Sequence, residues 1–268
     1  MAHPLAGVDL GTRTVSYDER DAILYALAVG AQATDLDLVF ERRLRVLPTF
    51  ALTLAQWAPD VLAGRGAWDV ATALHGSQRL RVRRPLPPAG ELAMAARVSA
   101  VWDKGPAAIF DVEVESEYFV ATWSIFAPGR GGFGGERGPS RSQPPEAGPD
   151  VETSLSTFGT QAALYRLTGD RHLIHIDPDS ARAIGQPRPI LHGLCTLAAA
   201  VLRLAAVLGV HPADLADLDG RFAAPVLPGQ ELDLALWRAD TGIAFRARRG
   251  GADVLTDGFA RFASTERS

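Results

Sequence analysis

The feature that most constrains the fold is an internal repeat, because the first half of this 268-residue chain resembles the second half. The pattern Arg-x3-Pro-x2-Pro-x2-Glu-Leu covers residues 81–92 and recurs at 221–232, which is 140 residues later. Two shorter matches keep the same order: Leu24-Tyr25 with Leu164-Tyr165, and Val46-Leu47 with Ile190-Leu191. Three matches in one order indicate the duplication of a single domain.

The boundary between the halves is predicted at residues 128–150. This segment is rich in Gly, Pro, Ser and charged residues, and it has neither a helical nor a strand period. We therefore expect one domain over residues 1–127, a linker over 128–150 and a second domain over 151–268.

Both halves show the same order of elements. Each begins with a short helix (Asp18–Gly30; Ser156–Thr168) and continues with a long apolar helix (Phe50–Ala58, extending towards Ala63; Leu194–Leu208). Four strand-like segments follow in each half, separated by Pro and Gly: 77–84, 91–102, 107–116 and 118–127, then 218–224, 231–238, 242–248 and 253–263. A helix followed by antiparallel strands predicts the α+β class.

Composition restricts the class of function. The chain is 47% hydrophobic and 22% charged, with a net charge of -4, which is typical of a soluble protein and argues against nucleic acid as a partner. A single cysteine, Cys195, fits a reducing compartment. The longest apolar segment, 194–210, is interrupted by Arg203 and predicts a buried helix, with no membrane insertion. The N-terminal segment lacks a signal-peptide pattern, so we expect a cytoplasmic protein.

Four acidic and imidazole side chains lie within residues 170–177, and two of them form the main candidate for catalysis. Asp170 and His175 would diverge by about 140° on a continuous helix, but Gly169 allows a loop that brings them together. A carboxylate and an imidazole that share one water can act as general acid and base. The alternative is a surface carboxylate beside a structural histidine.

Two features around this loop would support it. Gly193 opens the second apolar helix, where a backbone N–H could stabilise a developing negative charge; the alternative is an ordinary helix-start glycine. Asp177-Pro178 predicts an N-cap with proline at the first helical position, for a short helix that ends before Gly185.

Residues 164–196, LYRLTGDRHLIHIDPDSARAIGQPRPILHGLCT, resemble the signature of the MaoC-like (R)-specific enoyl-CoA hydratases, or hydratase 2. The resemblance implies a double hotdog: two tandem hotdog domains, in each of which an antiparallel sheet wraps a central helix. It also implies hydration of trans-2-enoyl-CoA to (3R)-3-hydroxyacyl-CoA, with Asp170 and His175 as the catalytic pair and Gly193 as the oxyanion donor. It further implies an acyl-CoA substrate, a homodimer, and no cofactor beyond the CoA of the substrate. The first domain would be degenerate and would shape the acyl pocket.

The catalytic loop departs from the family pattern at two positions. The family has Asn two residues after the catalytic Asp, followed by Pro, whereas this chain has His172 and Leu173. Histidine can still hydrogen-bond the water or the loop, but it is bulkier and titrates near neutral pH. We expect His172 to contact the substrate, with a purely structural role as the alternative.

Further substrate contacts are carried over from the resemblance. His75 and Gly76, in LHGSQ, match the family's LLHGEQ segment, which contacts the thioester ligand. Lys104, the single lysine, lies in a DKG turn that meets CoA in the family, although it could be a solvated turn residue. Phe222 matches a ligand-contacting phenylalanine, although it could belong to the core.

Three other motifs are rejected. Residues 129–134 satisfy GxGxxG, but a Pro-rich linker follows instead of a helix, so no dinucleotide site is expected. His172, His175 and Asp177 have no second ligand cluster, so we predict no metal site. Cys195 beside His192 is explained by the ILHGLCT segment of the family and not by a thiol nucleophile.

Other functions remain open from the sequence. The chain could be a dehydratase of 3-hydroxyacyl groups on acyl carrier protein in lipid or polyketide synthesis, which uses the same chemistry in reverse. It could be a thioesterase, or a non-catalytic acyl-CoA-binding hotdog protein with an altered loop. The length of the acyl chain, and whether it is branched or steroid-like, is not set by the sequence.

Overall fold

The computed structural model describes residues 2–140 and 147–263, which form ten antiparallel strands and seven α-helices. The first half contains β1 (Asp9–Tyr17), α1 (Glu19–Val29), α2 (Leu36–Val39), α3 (Ala51–Leu54), α4 (Trp57–Gly64), β2 (Leu74–Val82), β3 (Gly90–Asp103), β4 (Ala107–Glu115) and β5 (Phe119–Pro128). The second half contains β6 (Val151–Ser156), α5 (Gln161–Tyr165), α6 (Pro178–Ala183), α7 (Gly193–Leu208), β7 (Leu215–Phe222), β8 (Glu231–Ala239), β9 (Gly242–Arg249) and β10 (Ala252–Phe262).

The five strands of each half join edge to edge into one sheet of order β1-β3-β4-β5-β2-β7-β10-β9-β8-β6. The junction is the antiparallel pair β2–β7, in which Arg79 lies opposite Asp219. These two residues are separated by the same 140 positions as the sequence repeat, so an approximate twofold axis passes between them. The duplicated domains therefore pair through this shared edge, as two copies of one domain would in a dimer.

The repeat extends to the outer strands and to the first helices. Ser16 pairs with Glu91 in the first half, and Ser156 pairs with Glu231 in the second, each shifted by 140 residues. On the axis, the buried rings of Tyr25 and Tyr165 lie with centroids 5.9 Å apart. The predicted α+β class is confirmed.

Two strands and two helices differ from the sequence prediction. The helix predicted over Ser156–Thr168 begins only at Gln161, because β6 continues to Ser156. β1 and β6 were not predicted, and they extend each half to five strands. The first apolar helix is not continuous, because it breaks at residues 55–56 between α3 and α4. Pro59 lacks the N–H that would bond the carbonyl of Ala55, and Ala58 bonds that carbonyl in a tighter turn instead.

α7 is continuous and apolar, and it is the central helix of the second half. Ten of its sixteen residues are buried, and Gly209, in the left-handed conformation, ends it. No helix in the described segments is both long and apolar enough to cross a membrane. The first turn of α7 is fixed by the core behind it, which places Gly193 beside the catalytic loop.

Candidate active site

The candidate catalytic loop is held by bonds within its own sequence. Gly169, with φ 152°, ends the preceding turn, so the chain leaves the helical direction before Asp170. The Oδ1 atom of Asp170 accepts the N–H of His172 at 3.0 Å. Asp177 accepts the N–H groups of Asp179 and Ser180, which confirms the predicted N-cap of α6. These bonds leave the second carboxylate oxygen of Asp170 for a ligand.

His175 is buried, and its hydrogen bonds fix its tautomer. Nδ1 lies 2.9 Å from the carbonyl oxygen of Ile190, which can only accept, so Nδ1 carries the proton. The lone pair is therefore on Nε2, where a base needs it. Burial lowers the pKa of His175, so the ring is neutral at neutral pH.

A second buried histidine, His192, supports the pair. Its ring stacks on His175 with centroids 3.6 Å apart, and Nε2 donates to the backbone carbonyl of Asp170 at 3.2 Å. Burial, followed by the neighbouring His175, lowers the pKa of His192 to about 3, which keeps the ring neutral. No catalytic role was predicted for His192, because it lies 22 residues from Asp170 in the sequence. The position of His192 directly before Gly193, the predicted oxyanion donor, could have indicated a role in the active site.

In the described part of the chain, one group of side chains could hold a metal ion, and it consists of Asp170, His175 and His192. Ligand atoms of Asp170, His175 and His192 all lie within 4.8 Å of one another. The three residues that the sequence suggested as ligands, His172, His175 and Asp177, do not come together as a set of metal ligands. Asp177 caps α6 instead, and His172 is exposed.

Gly193 begins α7 with an exposed backbone, and its N–H has no carbonyl acceptor among the described residues. A Cβ at this position would lie 3.0 Å from two ring carbons of Phe222, so a larger residue would displace that ring. The free N–H and the positive end of a 16-residue helix form a site for a developing oxyanion.

The first half contributes His75 and Gly76 from β2. The ring of His75 lies 4.7 Å from that of Phe222, and its Nε2 donates to the carbonyl of Ser77 at 3.1 Å. Burial lowers its pKa to about 4, and the negative charge of Asp170 opposes this shift. Gly76 lies at a β-bulge, where a Cβ would be 3.2 Å from the carbonyl oxygen of Ser124.

Asp60 on α4 is a further first-half carboxylate near the loop, and no sequence pattern had indicated it. Its pKa is raised, first by loss of solvent and then by the charge of Asp170.

Lys104 lies in the turn between β3 and β4, beside the linker. Its ammonium group donates to the backbone carbonyl of Arg137. Burial, followed by the charges of Arg137 and Arg221, lowers its pKa, so three cations lie near one another. Arg221 is the residue before Phe222 on β7, so the backbone connects this cationic group to the strand end that carries Phe222. Such a cluster can bind phosphate groups.

The arrangement brings most of the predicted residues together. Asp170, His175, Gly193, Phe222 and His75 meet where α7 begins, and the rings of His172 and His175 are 6.3 Å apart. Lys104 lies apart, with the linker. A carboxylate, a neutral imidazole and an unpaired N–H at one point can move a proton and stabilise an enolate.

Comparison with known proteins supports this interpretation. Residues 15–126 match the model of the MFE-2 hydratase 2 N-terminal domain, and residues 140–257 match that of the MaoC-like domain. The chain is 37% identical to 3-hydroxyacyl-thioester dehydratase Y of Mycobacterium tuberculosis, covering 92% of this chain and 93% of that protein. It is 36% identical to enoyl-CoA hydratase ChsH3 of the same organism, covering 87% of each.

Among solved structures, a MaoC-like dehydratase from Phytophthora capsici superposes with a TM-score of 0.87 at 27% identity, covering 97% of each chain. The predicted double hotdog is confirmed by this and by other neighbours. The chain belongs to the MaoC-like hydratase 2 family, in which an MFE-2 hydratase 2 N-terminal domain precedes a MaoC-like domain.

Proposed function

We propose that this protein is a hydro-lyase that adds water to trans-2-enoyl-CoA to give (3R)-3-hydroxyacyl-CoA, and that also catalyses the reverse dehydration. The observation that carries the proposal is the fixed tautomer of His175, with its Nε2 lone pair among the Asp170 and His192 side chains. Relatives named enoyl-CoA hydratase and 3-hydroxyacyl-thioester dehydratase support the same reaction in its two directions.

The proposed mechanism uses one water held between Asp170 and His175. Both groups accept hydrogen bonds from it, and one of them removes a proton as the oxygen adds to the β-carbon. The electron pair of the double bond moves towards the thioester oxygen, where the N–H of Gly193 donates to the developing enolate. The pair then delivers a proton to the α-carbon, so that water is added and the protein returns to its starting state.

The substrate path is proposed from the side chains that surround this point. Phe222, His75 and Gly76 would flank the thioester, and His172 would face the loop side of the substrate. Lys104, with Arg137 and Arg221, would bind the phosphates of CoA. We propose that the reaction needs no metal and no cofactor beyond the CoA of the substrate.

The experiment follows the absorbance of the conjugated thioester when purified protein is added to trans-2-enoyl-CoA of short, medium and long chains. Product is passed to an (R)-specific 3-hydroxyacyl-CoA dehydrogenase. Loss of absorbance with an (R) product is expected. Release of free thiol would indicate a thioesterase, and binding without turnover would contradict the proposal. A rate far higher on carrier-protein thioesters would favour the carrier-protein dehydratase.

We also propose a cytoplasmic homodimer, with domains at 1–127 and 151–268 joined by the linker 128–150. The linker residues 141–146 lie outside the described segments. Light scattering of the purified protein tests the oligomeric state, and a monomer mass would contradict it.

A further inference from the structure

A cavity of about 700 Å³ lies between the two halves, and no residue of the catalytic loop lines it. Its walls are residues 29–38 at the end of α1 and beyond, the last residues of β6, the second half of α7, and residues 210–212. This volume is within the range of small-molecule sites in proteins.

The duplication gives this cavity a definite relation to the active site. The segment 29–38 is the first-half counterpart of the catalytic loop, since Gly30 ends α1 with φ 113° as Gly169 ends the turn before Asp170. β6 is the counterpart of β1, and the lining part of α7 is the counterpart of α4. The approximate twofold axis therefore relates this cavity to the space between the catalytic loop and α4, at the active site.

The floor of the cavity is apolar. Leu38, Leu155 and Ala199 are buried in its walls. At its edge, Leu36 and Val210 keep 44% and 37% of their surface exposed, which is unusual for large apolar side chains. Exposed apolar groups around a concave surface favour a ligand with an apolar body.

Three of the four Asp and Arg charges in the lining are matched by nearby groups. Arg43 pairs with Asp37 at 2.7 Å, and Asp35 accepts the N–H of Gln32 at 2.7 Å. His211, from the second half, places Nε2 4.0 Å from Asp37, and burial lowers its pKa. The sequence had shown no histidine near Asp35 and Asp37.

Arg203 is the remaining charge of the lining, and it is exposed at the opening. Its guanidinium bonds the hydroxyl of Thr153, with Nε at 2.9 Å, and it forms no ion pair with a carboxylate within residues 2–140 and 147–263. A guanidinium has five donors and is suited to a carboxylate. The cavity thus combines an apolar floor with one cation that lacks a carboxylate partner.

We propose that this cavity is a second ligand site, which binds a monocarboxylate with an apolar chain, such as a medium-chain fatty acid. The chain would lie on Leu155, Ala199 and Leu202, and the carboxylate would bind Arg203. This site is separate from the proposed hydratase site, and it does not depend on that activity.

The test is calorimetric titration of the full-length protein with sodium decanoate and, as a neutral match, with decanol. Ala206→Trp blocks the cavity from an exposed position of α7, and Arg203→Met removes the cation. Ala252→Trp, exposed at the start of β10 and outside the cavity lining, is the matched control.

We expect wild type and the Ala252→Trp control to bind decanoate alike, and Ala206→Trp to bind it at least about tenfold more weakly. Arg203→Met should weaken decanoate by about tenfold and leave decanol unchanged. Hydration of enoyl-CoA should be unchanged in Ala206→Trp. The proposal is overturned if wild type does not bind decanoate, if Ala206→Trp binds it normally, or if decanol binds as tightly as decanoate.

Discussion

Asp170 and His175 depend on neighbours that fix their chemistry before a substrate arrives. The carbonyl of Ile190 sets the tautomer of His175, and the ring of His192 supports both the imidazole and the backbone of Asp170. A positioned acid–base pair of this kind contributes roughly 10²- to 10⁴-fold to a rate. That range sets the size of the effect expected on its removal.

Asp170→Asn should lower kcat by about 10²- to 10⁴-fold, because an amide cannot take the proton of water. Far less change is expected in KM, since the residue keeps its shape. Absorbance of the enoyl thioester measures both constants. Asp179→Asn, an exposed carboxylate on α6, is the control and should retain activity. Near-normal hydration by folded Asp170→Asn would refute the assignment of Asp170.

Gly193→Ala tests the oxyanion position. The new methyl would meet the Phe222 ring at 3.0 Å, so either the ring or the start of α7 must move. We expect kcat to fall by about 10- to 100-fold, since small displacements in a site cost rates of this order. Adding Phe222→Leu should restore part of the rate by making room. If the double variant is no faster than Gly193→Ala, the steric explanation is wrong.

At the scale of elements, one carboxylate of the first half holds several backbone N–H groups of the linker. Asp103 accepts the N–H groups of Gly105, Gly132 and Gly134, and these bonds lower its pKa to about 2. The linker therefore lies against the β3–β4 turn that contains Lys104. From the sequence, these glycines indicated only a linker without a helical or strand period.

Gly131→Ala should disturb this arrangement. A Cβ there would lie 2.1 Å from the carbonyl oxygen of Ala107, a backbone atom that cannot move aside cheaply. We expect a loss of about 1 to 3 kcal/mol in the free energy of unfolding, as for other overpacked sites. Gly148→Ala, with nothing within 4 Å, is the matched control and should be neutral. Equal denaturant midpoints for the two variants would show that the linker does not pack as described.

At the scale of the whole molecule, the two halves bury titratable rings around the active site. His75 comes from the first half and His192 from the second, with pKa values lowered to about 4 and about 3. An unfolded histidine titrates near 6.5. Between these values the unfolded chain binds protons that the native protein does not.

Stability should therefore fall as the pH drops from about 6.5 towards about 4, by up to about 1.4 kcal/mol per pH unit for each histidine. Below the folded values both states are protonated, and this loss stops. Urea unfolding at several pH values measures the slope. His75→Gln should remove the contribution of one histidine to the slope of unfolding free energy against pH. An unchanged slope in that variant would contradict this explanation.

The sequence by itself determined the duplication, the α+β class, most element boundaries and the family, because these rest on local signals. Helix caps, the spacing of apolar residues and the motif at 164–196 can each be recognised in a short segment of the sequence. β1 and β6 were missed because each is an edge strand with few buried side chains, so neither shows the apolar alternation of a half-buried strand. The break at Pro59 was missed because the apolar run continues through it.

Only the tertiary structure decided which residues meet. It placed His192 on His175, His75 beside Phe222, and His211 beside Asp37, in each case between segments distant in sequence. For His75 and His211 the physical reason is that the β2–β7 junction and the core fix how the two halves sit against each other. For His192 it is the packing of α7 in the core of the second half, which no short sequence window encodes. The chain therefore specifies its catalytic loop locally, whereas the surroundings of that loop, His192 from the same half and His75 from the other, arise only when the tertiary structure forms.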